Sequence, residues 1–137
     1  ASIDVTLGDK ILVETDNGEF TPFNIKHETF HMPPGCFVLA STAEWVRVPN
    51  NLESVFQLKS SRGREGYEHA RAGYIDPGFH GNVTLELSKN RRFKELPLRA
   101  GMKIGQLRFA KLDAIPMRGY ALTGRYQCDQ GVQQSKG

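Results

Sequence analysis

Asp76 and Glu86 stand ten residues apart in Gly73-Tyr74-Ile75-Asp76-Pro77-Gly78-Phe79-His80-Gly81-Asn82-Val83-Thr84-Leu85-Glu86-Leu87, one carboxylate on a turn and the other on a strand. Such a pair suits a site that binds a sugar and moves a proton, because one carboxylate can hold a hydroxyl while the other takes and returns protons. Asp76 precedes Pro-Gly, a turn signal. Val83, Leu85 and Leu87 alternate with Thr84, Glu86 and Ser88, which makes one strand with an apolar face and directs Glu86 away from that face. An ordinary hairpin with a turn-capping Asp and a solvated Glu would have the same pattern, so segments elsewhere must decide.

Upstream, Ser60-Ser61-Arg62-Gly63-Arg64 follows a strand pattern and opens a short helix, with Ser60 and Ser61 as candidate caps and Gly66 as its stop. Backbone N–H groups, two hydroxyls and two guanidinium groups at a helix start suit a phosphate or carboxylate. Ser60 and Arg64 are four apart and share a helix face, so both can act on one ligand. A capped, solvated helix is the plain alternative.

His27-Glu28-Thr29-Phe30-His31 matches the zinc-protease pattern, but that chemistry needs a helix of several turns. Met32-Pro33-Pro34-Gly35 ends any helix at once, and Thr29 and Phe30 favour extended backbone, so a surface strand is expected and zinc is not. His69 and His80 are single histidines; either could line a pocket next to the glycine-rich turns, with a hydrogen-bonded structural role as the default. Trp45, Phe79, Tyr74 and Tyr120 could stack on a base or sugar, though such rings are usually core; Phe79, beside Asp76, is the one placed well for stacking. Gly105, where Gly101-Met102-Lys103-Ile104-Gly105-Gln106-Leu107 enters a strand, either admits a close backbone or packs.

The elements that must position these groups are mainly β. Gly (14) and Pro (7) divide the chain into short alternating pieces. Expected strands are Ser2–Leu7, Lys10–Glu14, Cys36–Ser41, Glu44–Val48, Val55–Lys59, Asn82–Ser88, Leu96–Arg99 and Lys103–Lys111, a sandwich, jelly roll or barrel interrupted by one short helix. Residues 1–137 fit a single domain, with the polar stretch 123–137 as a C-terminal arm ordered on contact with ligand or partner. Lys and Arg number 18 against 15 acidic residues, a net charge of +3 that favours small anionic ligands over a nucleic-acid groove. Cys36 and Cys128 lack paired spacing, so a disulfide framework is not expected and a reducing cytoplasm is the default compartment. There is no apolar run of membrane-spanning length and no signal-peptide pattern at the start; Ala1 opens directly on a strand, which suggests that residues precede it.

Ser2-Ile3-Asp4-Val5-Thr6-Leu7-Gly8, the Lys59–Arg64 and Ala72–Leu87 segments, Gly101–Leu107 and Arg125-Tyr126…Gln130-Gly131 together resemble, in order, the motifs of the dCTP deaminase family within the dUTPase-like superfamily. The resemblance covers nearly the whole chain. It implies a dUTPase-like distorted β-barrel or jelly roll, assembled as a homotrimer with sites between subunits, and metal-independent deamination of dCTP to dUTP and ammonia. By position, Glu86 would be the general base that activates water, with Ser60 and Arg64 flanking that water and the cytosine. Ala72 would read the base through its main chain, with Thr84 and Leu85 beside Glu86 in the nucleotide site, and Asp76 would hold the 3′-hydroxyl. Lys59, Ser61, Arg62, Tyr120, Arg125 and Gln130 would meet the triphosphate. Glu86 must then cycle between protonation states while Arg64 stabilises charge. The H-x-E…P-C-x-x-C signature of zinc nucleobase deaminases is absent, so the expected ion is Mg²⁺ carried by the triphosphate.

The chain departs from the family pattern in several places. Its N-terminal segment before Ser-Ile-Asp is missing, Thr6 stands where Arg is usual, Arg71 replaces a small residue, and Asp129 stands where Gln usually contacts phosphate, which sets a carboxylate against an anion. Alternatives to plain deamination are a combined dCTP deaminase and dUTP diphosphatase giving dUMP, and a nucleotide-binding regulator without catalysis. The implied ligands are dCTP and dUTP, with dTTP as a possible regulator.

Overall fold

The computed structural model describes residues 2–70, 73–92, 94–113, 126 and 128–136. Its elements in chain order are β1 (Ser2–Thr6), β2 (Lys10–Glu14), β3 (Phe20–Asn24), β4 (Phe30–Met32), β5 (Phe37–Ser41), β6 (Val46–Arg47), β7 (Leu52–Leu58), α1 (Ser60–Glu65), β8 (Tyr67–His69), β9 (Tyr74–Ile75), β10 (His80–Gly81), β11 (Thr84–Lys89), β12 (Leu96–Leu98) and β13 (Lys103–Lys111). One antiparallel sheet runs β1-β13-β7-β9 and another β3-β2-β5-β11-β8, with two-stranded ladders β10-β6 and β12-β4. The sheets do not close into a continuous barrel. They share one core: Val5 and Leu107 of the first sheet and Leu85 and Leu87 of the second are fully buried in the same cluster.

The expected strands are present with shifted ends, and β2 and β13 have the expected bounds. Five short strands, β3, β4 and β8 to β10, lie outside the expected set. Pro22 is tolerated in β3 because β3 is the outer strand of its sheet, where a missing N–H costs no ladder bond. Residues 26–28 bend and β4 follows, so His27 and His31 do not share a helix face. The helix is present as expected and stops at left-handed Gly66, but its N-cap is Lys59 without a side-chain cap bond. Neither serine caps it.

Thr6 is latched to Glu44: its N–H and hydroxyl donate to the two carboxylate oxygens at 2.9 and 2.8 Å. Gly105 admits a close backbone, since a Cβ there would run into the main-chain carbonyl oxygen of Gln57, and the Phe56 ring packs against the same spot.

Tyr67 is buried on β8 and its hydroxyl donates to the Pro97 carbonyl. Burial raises its pKa; Arg62 and Arg99 pull it down, and Glu65 adds to the rise. A raised folded-state pKa supplies stability that is complete below the unfolded value of about 10 and is lost as pH rises through the folded value. Tyr67→Phe should therefore cost about 1–2 kcal/mol at neutral pH, by leaving the Pro97 carbonyl without its donor, and should flatten the decline above about pH 10. Denaturant titrations at neutral and alkaline pH check both signs.

Candidate active site

Glu86 lies between the fully buried Leu85 and Leu87 on β11, opposite Leu39 of β5, and its carbonyl accepts the Ala70 N–H at 3.0 Å. The alternation anticipated from sequence thus holds Glu86 off the core while its neighbours anchor the strand. Its carboxylate is not free in solvent. Oε2 is sealed from water and lies 3.2 Å from Nε2 of His69, whose side chain is 8% exposed. The contact is close but poorly aligned, and neither atom has a hydrogen-bond partner among the described residues. It is an ion pair only when His69 is protonated.

His69 extends this pair to a cleft of about 600 Å³ between β7, β8 and Gly73–Tyr74, lined by His69, Phe56, Gln57, Glu68, Ala70 and Tyr74 among others. The Phe56 ring lies 4.6 Å from the His69 ring at 59°, which fixes the imidazole against β7. Tyr74 is 52% exposed at the cleft edge. It and Trp45, also half exposed, depart from the expectation that such rings are core. His69 lines a cleft next to Gly73, one of its two expected roles, but its closeness to Glu86 depends on the β8–β11 register that sets His69 opposite Leu87 and is not legible in the local sequence.

Asp76 is exposed at the head of a turn in which the Phe79 N–H donates to the Asp76 carbonyl at 3.2 Å. Gly78, at φ 86°, supplies the left-handed step that the turn requires. Phe79 is a core residue, 7% exposed, so a stacking role for it is withdrawn. The Leu85 side chain is likewise fully buried, which leaves only its main chain for a ligand. Thr84 is half-buried and its hydroxyl accepts the Gln133 N–H at 3.2 Å.

On α1, Ser60, Ser61 and Arg64 are exposed, and their side chains make no hydrogen bond or ion pair among the described residues. The helix has six residues, so the hydroxyls and the guanidinium, more than a helix dipole, are what it offers an anion. The neighbouring cations are already engaged. Lys59 Nζ is 3.2 Å from both oxygens of Asp4, and Arg62 donates to the Lys103 carbonyl at 2.7 Å and to Glu65 at 2.9 Å. No hydrogen bond or ion pair joins Ser60 or Arg64 to Glu86 among the described residues.

Ala72, Tyr120 and Arg125 lie outside the described residues. The described part of the arm makes hydrogen bonds to its own chain: Cys128 N–H donates to the His80 carbonyl at 2.8 Å, Asn82 N–H to the Asp129 carbonyl at 2.9 Å, and Gly131 N–H to Asn82 Oδ1 at 2.9 Å. Asp129 is 9% exposed and pairs with Lys136 at 3.0 Å, so the charge expected to oppose a triphosphate is met inside the arm. Gln130 is exposed, and its carbonyl accepts the Gln133 side-chain amide at 3.1 Å.

A family model described as dCTP deaminase-like matches residues 1–112, which leaves the arm outside the match. The chain is 46% identical over 113 residues to the "dCTP deaminase, dUMP-forming" of Streptomyces griseus, covering 80% of this chain and 59% of that protein. It is 42% identical over 109 residues to the protein of the same name from Hydrogenobaculum, covering 80% and 60%. The chain thus spans less than two thirds of the length of these relatives. The crystal structure of 2′-deoxycytidine 5′-triphosphate deaminase from Agrobacterium tumefaciens superposes with a TM-score of 0.67 at 22% identity, over 80% of this chain and 37% of that one, a likeness of fold.

Proposed function

The chain belongs to the dCTP deaminase-like family, and from that premise we propose that it removes the 4-amino group of dCTP as ammonia and carries the nucleotide on to dUMP. The observation that carries this reading is the Glu86 carboxylate. It has one oxygen sealed from solvent without an aligned donor, beside a histidine on the cleft wall. A buried carboxylate oxygen without a partner suits a group that takes its partner from the substrate complex. The relatives' names, both dUMP-forming, move the proposed end product from dUTP to dUMP.

In the reaction, Glu86 takes a proton from water as its oxygen attacks C4 of the cytosine, and that proton goes to N3. Glu86 then carries the second hydroxyl proton to the amino nitrogen, the C4–N bond breaks, and uracil and ammonia result. His69 Nε2 lies 3.2 Å from the carboxylate oxygen that must hold these protons. Ser60 and Arg64 would flank the water, with Arg64 stabilising negative charge, and Asp76 would receive the 3′-hydroxyl. A second water attacking the α-phosphorus releases pyrophosphate and leaves dUMP. Because Ser60 and Arg64 are open and, among the described residues, unconnected to Glu86, the site is proposed to be shared between copies of a homotrimer.

Mg²⁺ would enter with the triphosphate and neutralise part of its charge. Among the described residues no three His, Cys, Asp or Glu side chains are grouped to hold a metal, so phosphate oxygens and water are its fitting ligands. Both cysteines are free, in keeping with the proposed reducing cytoplasm. The reading is tested by ammonia release from dCTP: release in proportion to dCTP consumed supports it, and none removes it in favour of a nucleotide-binding regulator.

A further inference from the structure

Lys89 ends β11 on the inner face of its sheet, in line with Leu85 and Leu87, and is 8% exposed. Its ammonium is sealed from solvent and has no hydrogen-bond partner or ion pair among the described residues. A buried charge costs stability unless an opposite charge meets it.

The described side chains around it supply cations. Lys89 stands directly opposite Tyr67 on the β8–β11 ladder, so these two buried side chains lie next to each other on the inner face. Burial raises the Tyr67 pKa, while Arg62 and Arg99 both pull it down, which sets both guanidinium groups within electrostatic reach of the phenol. Arg91 packs over Gly66, the residue before Tyr67, where its side chain fills the space a Cβ would need. Glu65 also acts on Tyr67, but it is held by Arg62 at 2.9 Å. Glu68 is on the other face of the ladder, opposite Ser88. Arg91 and Arg99 are exposed and, like Lys89, make no ion pair among the described residues. Three cations thus share one corner, the deepest of them sealed, and the nearest carboxylate is already taken.

We propose that this corner, bounded by the end of α1, the start of β8 and the end of β11, is a binding site for a small inorganic anion, with Lys89 at its floor and Arg91 and Arg99 at its mouth. The closed setting of the ammonium selects a halide or a single phosphate ion over a nucleotide or a side chain of another copy. Charge-assisted contacts to an ammonium and two guanidinium groups suit either ion. The bound anion braces the ladder that carries Glu86 and His69, since Lys89 lies three residues beyond Glu86 on β11 and Tyr67 two before His69 on β8.

The site is tested by melting the intact protein at constant ionic strength while sodium gluconate, whose anion is too bulky for the corner, is replaced by sodium chloride or by sodium phosphate. The fitting anion should raise Tm saturably, by about 3–5 °C at tenfold excess over its dissociation constant. A response to chloride marks a halide site, and a response to phosphate alone marks an oxyanion site that draws on both guanidinium groups. Lys89→Met keeps the apolar stem and removes the charge, so the saturable rise should vanish, whereas general stabilisation by excluded salts would persist in the variant. Lys89→Gln takes its place if the methionine variant does not fold. The proposal is overturned if neither ion shifts Tm relative to gluconate, or if the folded variant keeps the parent's full response.

Discussion

Glu86→Gln should lower ammonia release from dCTP by about 10²–10⁴-fold, the range expected when a general base is lost, while the fold and nucleotide binding persist. The amide keeps the shape of the carboxylate between Leu85 and Leu87, and the flanking β5 and β8 ladders run through main-chain atoms that the substitution leaves alone. What disappears is the ability to accept a proton at the atom 3.2 Å from His69. Steady-state ammonia release, with dCTP binding measured separately, separates loss of chemistry from loss of binding. Turnover equal to the parent would remove Glu86 from its proposed role.

The second large effect concerns where the site is built. Arg64→Ala and Glu86→Gln should each be nearly inactive alone, yet copies of the two mixed and reassembled should regain about a quarter of parental activity. Independent assortment places an intact Arg64 of one copy beside an intact Glu86 of another in about one site in four. The expectation rests on Ser60, Ser61 and Arg64 being open on α1 and, among the described residues, unconnected to Glu86. Absence of recovery in a mixture shown to have exchanged subunits would confine the site to a single copy, as would full activity in a monomer.

Local pattern made some of this legible in advance. Alternation over Val83–Ser88 gave the direction of Glu86, Asp-Pro-Gly gave the turn under Asp76, and Gly66 gave the end of α1, since each depends on neighbours in sequence. Partners that arise from register were hidden. His69 meets Glu86 only because β8 pairs with β11, Lys59 meets Asp4 55 residues away, and Arg62 reaches Lys103 41 residues away. Two of the expected phosphate cations are therefore already committed within the fold. β3 was hidden for a related reason: its Pro22 is tolerated because β3 is an edge, a property of the sheet that the strand's own sequence does not carry. Phe79 looked free because it follows a turn, whereas the turn folds it back into the core. The arm looked unpartnered because Asp129 and Lys136 are brought together by the path of the chain between them.

The most direct test of the central claim is to incubate the protein with dCTP and Mg²⁺ in ¹⁸O-water and weigh the nucleotide product. The account predicts ammonia, pyrophosphate and dUMP with two heavy oxygens, one on C4 from the deaminating water and one on phosphorus from the second attack. Recovery of unlabelled dCTP, with no ammonia formed, would contradict it.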